Sequence, residues 1–283
     1  MEVIVAKSAG FCFGVKRAVE MAYSKVNNEN IYTFGPIIHN EEVVKDLEEK
    51  GIKVVENISE IENYNPGTMI IRAHGIKQEE YRLIEAAGHK IIDATCPFVL
   101  KIHKIVKEAA ERDEFIVIIG DDKHPEVQGI KSCAPDRSVV IDNEEDALNF
   151  MKNHTFEQKS LCIVSQTTFN LNKFKYLVEI FRKNSYININ VLNTICNATE
   201  ERQAEAAELA ATVDAMIVIG GRSSSNTQKL YEICKEVCDN TFYIQTADDM
   251  DYSKLCGMNR VGITAGASTP HIIIEEVQTK CQI

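Results

Sequence analysis

The chain has 283 residues, 45% of them apolar, with 31 Lys and Arg against 42 Asp and Glu and a formal net charge of −11. That length accommodates two or three small domains with real cores, and so acidic a surface is unsuited to nucleic acid or to an anionic membrane. The longest apolar runs, FIVII and AMIVI, are far too short to span a bilayer, and MEVIVAKSAGFCFG at the N-terminus lacks the marks of a secretory leader, so a cytoplasmic, membrane-free protein is expected.

In chain order, the first predicted strand lies in MEVIVAKSAGFC and ends at Cys12, where the helical pattern CFGVKRAVEMAYSKV begins. The apolar run in NIYTFGPIIHNE follows, closing on Gly35 and a polar turn, then the β-rich IKVVENISE, then MIIRAHG with a second polar turn. A helical pattern and the strand HKIIDATC lead to Cys96. From there the series starts again: CPFVLKIHKIVKEAA, FIVIIGDDKHPE with Gly120, SVVIDNEED, LCIVSQTT, and INVLNTIC leading to Cys196. A third pass reads CNATEERQAEAAELAA, AMIVIGGRSSSN with Gly220, TFYIQTADD and VGITAGAST. Cys12 precedes its glycine by 23 residues, and Cys96 and Cys196 precede theirs by 24. Asn57 with Glu60, Asn143 with Asp146 and Thr246 with Asp249 predict a capping-box helix start at the same place in each pass.

Strands alternating with helices predict an α/β protein with mainly parallel sheets and helices on both faces. We expect three similar units, 13–95, 96–195 and 196–283, with 1–12 supplying the last strand of the third. Ligands in such sheets sit beyond the carboxyl ends of the strands, which is where the polar turns and the repeated cysteines fall. Packing around a pseudo-threefold axis would bring Cys12, Cys96 and Cys196 together at the centre.

Of nine cysteines, only these three occupy equivalent positions. A cysteine at a strand end can be inert core, but a helix N-terminus favours the thiolate, and threefold repetition favours a metal centre. Cys133, Cys162, Cys234, Cys238, Cys256 and Cys281 have no equivalents and read as structural or incidental. Structural zinc sites use close Cys pairs such as Cys-x-x-Cys, which the chain lacks. Three distant thiolates suit an iron–sulfur cluster. With three cysteines, a cubane keeps one iron open to a substrate oxygen, which points to an enzyme rather than an electron carrier.

The turns supply polar groups. His39, His124 and Ser224 share one offset from their glycines, and Glu41, Glu126 and Asn226 follow two residues later. His74, Thr167 and Ser268 occupy the second turns. Imidazoles, hydroxyls and helix N-termini suit an oxyanion, while no P-loop pattern is present. Glu126 is the candidate acid, and Glu41 a helix-start residue. His89, His103, His154 and His271 read as solvated.

Together AGFCFGV, AHGI, DATCPFV, HPEV, SQTT, SSSN and GAST, spread over nearly the whole chain, resemble the 4-hydroxy-3-methylbut-2-enyl diphosphate reductase family. Its members are cytoplasmic iron–sulfur enzymes with three α/β domains around one cluster, and they complete the methylerythritol phosphate route to isoprenoids. The resemblance implies that Cys12, Cys96 and Cys196 hold one 4Fe–4S cluster whose open fourth iron meets the substrate hydroxyl. It implies that His39, His74, His124, Ser224, Ser225, Asn226 and Ser268 hold the allylic diphosphate, and that Glu126 and Thr167 form a proton relay. Reduced ferredoxin or flavodoxin would supply electrons, and isopentenyl and dimethylallyl diphosphate would be the products. The loop RSSSNTQ carries an additional Ser223, so which hydroxyls meet the diphosphate stays open. Two rivals remain: a quinolinate synthase-like lyase, which would need carboxylate clamps in the turns, and a non-catalytic iron or redox sensor, which would need no Glu/Thr relay.

Overall fold

The computed structural model describes residues 1–153, 160–184 and 188–282. In chain order it comprises β1 (Glu2–Val5), α1 (Phe13–Tyr23), β2 (Ile31–Phe34), α2 (Glu41–Glu49), β3 (Lys53–Val55), β4 (Thr68–Ile71), α3 (Gln78–Ala86) and β5 (Lys90–Asp93). It continues with α4 (Pro97–Glu111), β6 (Phe115–Ile119), α5 (Pro125–Lys131), β7 (Ser138–Ile141), α6 (Glu144–Asn153), β8 (Ser160–Ser165), α7 (Leu171–Asn184) and β9 (Asn188–Val191). The last stretch holds α8 (Asn197–Ala210), β10 (Ala215–Ile219), α9 (Ser225–Val237), β11 (Thr241–Ile244), β12 (Arg260–Ala265) and α10 (His271–Gln282).

The strands form three four-stranded sheets, ordered β3-β2-β4-β5, β7-β6-β8-β9 and β11-β10-β12-β1. Every pairing among the described residues is parallel, so each unit repeats one topology. The chain steps outward once, from β2 to β3 or its counterpart, then crosses back and continues on the other side. That reversal leaves a crevice at the carboxyl ends of the central strands, where parallel sheets bind ligands. In the third sheet β1 takes the edge place beside β12, with Val3 level with Val261.

Continuous apolar runs suit strands covered on both faces. Phe115, Val117 and Ile119 of β6 pack with Leu177 and Phe181 on one face, and Ile116 and Ile118 pack with Val106 and Ile130 on the other. In β10, Ile217 and Ile219 face Ile274 and Val277, while Met216 and Val218 face Leu230 and Cys234. The two-residue side-chain period of a strand divides each run this way, and burying each such side chain is worth about 1.5–3 kcal/mol.

The helices begin where the pattern predicts. Cys12, Cys96 and Cys196 are the N-caps of α1, α4 and α8. Of the three expected capping boxes, Asn143 and Asp146 hydrogen-bond at the start of an α-helix, α6. Asn57 with Glu60 and Thr246 with Asp249 also bond, but they open only short 3-10 turns.

Two of the histidines read as solvated are not. His89 is 4% exposed and packs edge-on against Tyr32. His103 is 5% exposed on the inner face of α4, and the positions of Gly75 and Gly129 are so close that a side chain there would meet its ring. His271 lies on the surface, and His154 falls outside the described residues.

Candidate active site

The turns after the inner strands and the loops after β1, β5 and β9 meet at one cavity. It is lined by Cys12, Cys96, Cys196, His39, His74, His124, Glu126, Thr167, Thr168, Ser224, Ser225, Asn226, Ser268, Thr199 and Arg202, among others. It offers about 690 Å³ of space not filled by atoms, open mouth included. Every site residue named from the sequence reaches it. Ser223 does not: it is exposed, and Ser224 and Ser225 are the serines of that loop that line the cavity.

The three thiols sit at helix N-termini and open onto the same space. Cys96 is the tightest. A Cβ on Gly14 would stand 2.5 Å from Cys96 Sγ, so only glycine at the start of α1 leaves room for the sulfur. Burial pushes the Cys96 thiol up to about 11, against a smaller opposing effect of the Phe98 and Val99 N–H groups. Burial also raises Cys196, whose sulfur lies 3.1 Å from Thr199 Oγ1. Cys96 and Cys196 raised in this way are ligands that lose their protons when a metal binds. Gly14→Ala should displace Cys96 Sγ, with the clash offsetting the gain of up to about 1 kcal/mol that alanine adds through helix propensity. Thermal unfolding and iron uptake of the variant check this: a stable chain with impaired iron uptake is expected.

Opposite the thiols lies a polar wall. His39 and His74 stack with ring centroids 4.1 Å apart, and His124 stands edge-on to both. Burial drives all three pKa values down, His39 to about 4 and His124 to about 3, with the Arg72 guanidinium adding to the effect. The imidazoles are therefore neutral near pH 7. His124 Nδ1 accepts from the Glu126 N–H at 3.2 Å, which leaves its Nε2 as the donor. The ligand atoms of these histidines lie within 4.8 Å of one another.

Ser224 caps α9, accepting from Thr227 N at 3.3 Å, and Ser268 Oγ donates to the His39 carbonyl at 3.1 Å. Asn226 is 5% exposed, yet neither its amide oxygen nor its nitrogen has a partner, and His74 Nδ1 is equally bare. Buried polar atoms are seldom left so, and these belong to the wall of a cavity. They are positioned to receive a polar ligand.

Between thiols and polar wall stands Glu126, 1% exposed. Thr167 donates to both its carboxylate oxygens, from N at 2.6 Å and from Oγ1 at 2.7 Å. These bonds favour the charged form, but burial outweighs them and raises Glu126 to about 7. A carboxyl poised there can give or take a proton at neutral pH.

Sequence reasoning missed four residues at the cavity or its wall. Thr168 Oγ1 and Gln166 Nε2 both reach Ser225 Oγ at 3.4 Å, and their signal was adjacency to Thr167 in SQTT. Thr199 and Arg202 lie one turn and two turns into α8, where the sequence shows only a polar helix.

The LytB protein family (LYTB) matches residues 3–282. A protein of Caldanaerobacter subterraneus subsp. tengcongensis named 4-hydroxy-3-methylbut-2-enyl diphosphate reductase is 46% identical, over 99% of this chain and 96% of its own. One of the same name from Clostridioides difficile is 46% identical, over 99% of this chain and 98% of its own. A structure described as (E)-4-hydroxy-3-methyl-but-2-enyl diphosphate reductase, the terminal enzyme of the non-mevalonate pathway, is 40% identical with a TM-score of 0.71 and covers 100% of this chain and 99% of its own. The E-1-hydroxy-2-methyl-but-2-enyl-4-diphosphate reductase of Plasmodium falciparum is 30% identical with a TM-score of 0.90, covering 99% of this chain and 87% of its own.

Proposed function

Since the chain belongs to the LytB protein family, we propose that it reduces (E)-4-hydroxy-3-methylbut-2-enyl diphosphate to isopentenyl and dimethylallyl diphosphate, the last step of non-mevalonate isoprenoid synthesis. The observation that carries this reading is the single cavity that joins three thiols, one from each sheet's edge, to a buried carboxyl–threonine pair and to an unpartnered amide. The donor set fits a 4Fe–4S cluster held by Cys12, Cys96 and Cys196, because three soft ligands leave one iron free of protein. When bound, that group would supply two electrons, one at a time, and a Lewis-acidic iron facing the substrate hydroxyl.

The chain's own residues do the rest. Neutral His39, His74 and His124, with the hydroxyls of Ser224 and Ser225 and the Asn226 amide, donate hydrogen bonds to the diphosphate, and the Ser268 hydroxyl joins them by turning from the His39 carbonyl. Arg72, behind the histidines, adds positive potential in a chain that is otherwise acidic. This fixes the hydroxymethyl end beside Glu126 and Thr167. Glu126, protonated below its pKa of about 7, gives its proton to the departing oxygen, and Thr167 Oγ1 carries protons between the carboxyl and the bound substrate. The three units divide at Cys96 and Cys196 in this reading. Reduced ferredoxin or flavodoxin would deliver electrons, and a reducing cytoplasm would protect the cluster. No helix among the described residues is long and apolar enough to cross a membrane.

The direct test is anaerobic incubation of reconstituted protein with the substrate and a chemical one-electron donor, followed by product analysis. Formation of neither five-carbon diphosphate would reject the assignment. A second test addresses the pocket. His124→Asn and Asn226→Ala should each weaken pyrophosphate binding ten- to a hundredfold, since a charge-assisted hydrogen bond is worth about 1.5–3 kcal/mol. Calorimetry that finds both variants unchanged would remove these turns from the pocket. The proximity of the three imidazoles favours one other reading, a divalent cation held by His39, His74 and His124. Stoichiometric binding of zinc by the protein, abolished in His124→Asn and with no affinity for pyrophosphate, would establish that reading instead.

A further inference from the structure

Helix α8 grips the loop that presents Cys12. Arg202 Nε donates to the Ser8 carbonyl at 2.9 Å and Nη2 donates to the Gly10 carbonyl at 2.8 Å. One turn on, Glu205 accepts from Lys7 N at 2.7 Å and Ser8 N at 2.9 Å. The second residue after Gly10 is Cys12, so two side chains of one helix set where that sulfur sits. Arg17 of α1 grips the loop before Cys96 in the same way, donating to the carbonyls of Thr95 and Asp93 at 3.2 and 3.3 Å.

Arg202 differs from the other two in where it lies. It is 3% exposed, it lines the cavity that Cys12 and Cys196 also line, and its Nη1 has no partner. An arginine that only held the loop would need no third nitrogen left bare in a buried wall. Guanidinium stays protonated in proteins. Burial lowers the pKa of Arg202, while Cys12 and Cys196 in their metal-binding thiolate form and the Glu205 carboxylate raise it. The favourable neighbours of this cation therefore include, beside the Glu205 carboxylate, the sulfurs assigned to the cluster.

We propose that Arg202 is a positioning residue with an electrostatic role: it fixes the Cys12 loop and sets a permanent positive charge beside the Cys12 and Cys196 sulfurs, which favours one-electron reduction of the iron–sulfur centre they hold. The inference rests on the cluster reading above. Reduction adds one negative charge to the centre and breaks no bond to Arg202, so the guanidinium acts only through its field and its free N–H groups. In a buried site such a charge is weakly screened, and net charge and hydrogen bonds to sulfur are what tune such potentials.

The test is a mediated redox titration of anaerobically reconstituted holoenzyme, with dithionite as the electron source and the visible absorption of the cluster as the readout. Arg202→Gln keeps hydrogen-bond donors and removes the charge. Its reduction should be at least tenfold less favourable than wild type, a fall of about 59 mV. Arg202→Lys keeps the charge and should stay within about threefold of wild type. Glu205→Gln loosens the same loop without removing a cation and should not lower the potential. A cluster-bearing Arg202→Gln protein with a wild-type potential overturns the proposal, and so does a fall in Glu205→Gln equal to that in Arg202→Gln. If Arg202→Gln takes up no cluster, Arg202→Lys decides: a wild-type potential supports the charge, and a tenfold loss refutes it. Wild-type protein that forms no cluster would overturn the cluster reading itself, and this inference with it.

Discussion

Cys96→Ser is expected to yield a folded chain that holds no stable cluster and turns over substrate at background. Serine offers a hard oxygen whose proton is far more tightly held than that of a thiol, so it is a poor ligand for iron in a sulfide-rich centre. The loss should be near complete because only three cysteines line the cavity, and two ligands cannot orient a cubane. The fold should survive, since Cys96 caps α4 through its backbone and makes no side-chain cap bond. Cys12→Ser and Cys196→Ser should behave alike. Cys234→Ser is the control: that thiol is fully buried among Leu230, Met216 and Val218, so its replacement costs stability while iron content holds. Iron and sulfide analysis, visible absorption and far-ultraviolet circular dichroism on all four variants separate the two effects. Retention of the cluster in Cys96→Ser, or equal iron loss in Cys234→Ser, would defeat the ligand assignment.

The sequence carried the thiols and turns because they recur. Three cysteines at a strand–helix seam and three glycines 23 or 24 residues later are a pattern in spacing alone, and the parallel topology turns that pattern into convergence at the carboxyl ends of the strands. What spacing could not carry was the direction of side chains on helices. Arg202, in CNATEERQAEAAELAA, is one charge among many on a polar helix, and no spacing marks it out. Only the packing of α8 against the Lys7–Gly10 loop buries it. His103 departs from the solvated expectation for a related reason: its helix face is interior because Gly75 in a turn and Gly129 in α5 let α4 approach. The 3-10 turns after Asn57 and Thr246 show the complementary limit, since a capping box states that a helical turn starts but not how long it runs. The repeat also misleads locally. Glu41 and Glu126 share an offset, yet Glu41 is exposed and reaches Gln245, whereas Glu126 is buried on Thr167.

That difference underlies the second large effect. Glu126→Gln should leave cluster content and substrate affinity nearly intact while turnover falls by about 10²–10⁴, the usual worth of general acid help. Glutamine keeps the shape and can still accept from Thr167 N, but it delivers no proton. The wild-type rate should be highest below pH 7 and decline above it, because the acid form is lost as pH rises through the pKa of about 7. The glutamine variant should lose this dependence. Stability moves in a linked way. Between the ordinary carboxyl pKa and about 7, folded Glu126 binds a proton that the unfolded chain has released, so wild-type stability falls as pH rises through that window. Glutamine removes the dependence, and near pH 8 the metal-free variant should be the more stable, by on the order of 3 kcal/mol. If Glu126 served only the N-terminus of α5, the reverse would hold: loss of a favourable charge would cost up to about 1 kcal/mol and kinetics would barely change. Single-turnover reduction of bound substrate by the pre-reduced variant, measured from pH 6 to 9 beside chemical denaturation of the metal-free protein, decides between them. A rate within a few-fold of wild type would pass the acid's role to Thr167 or to water.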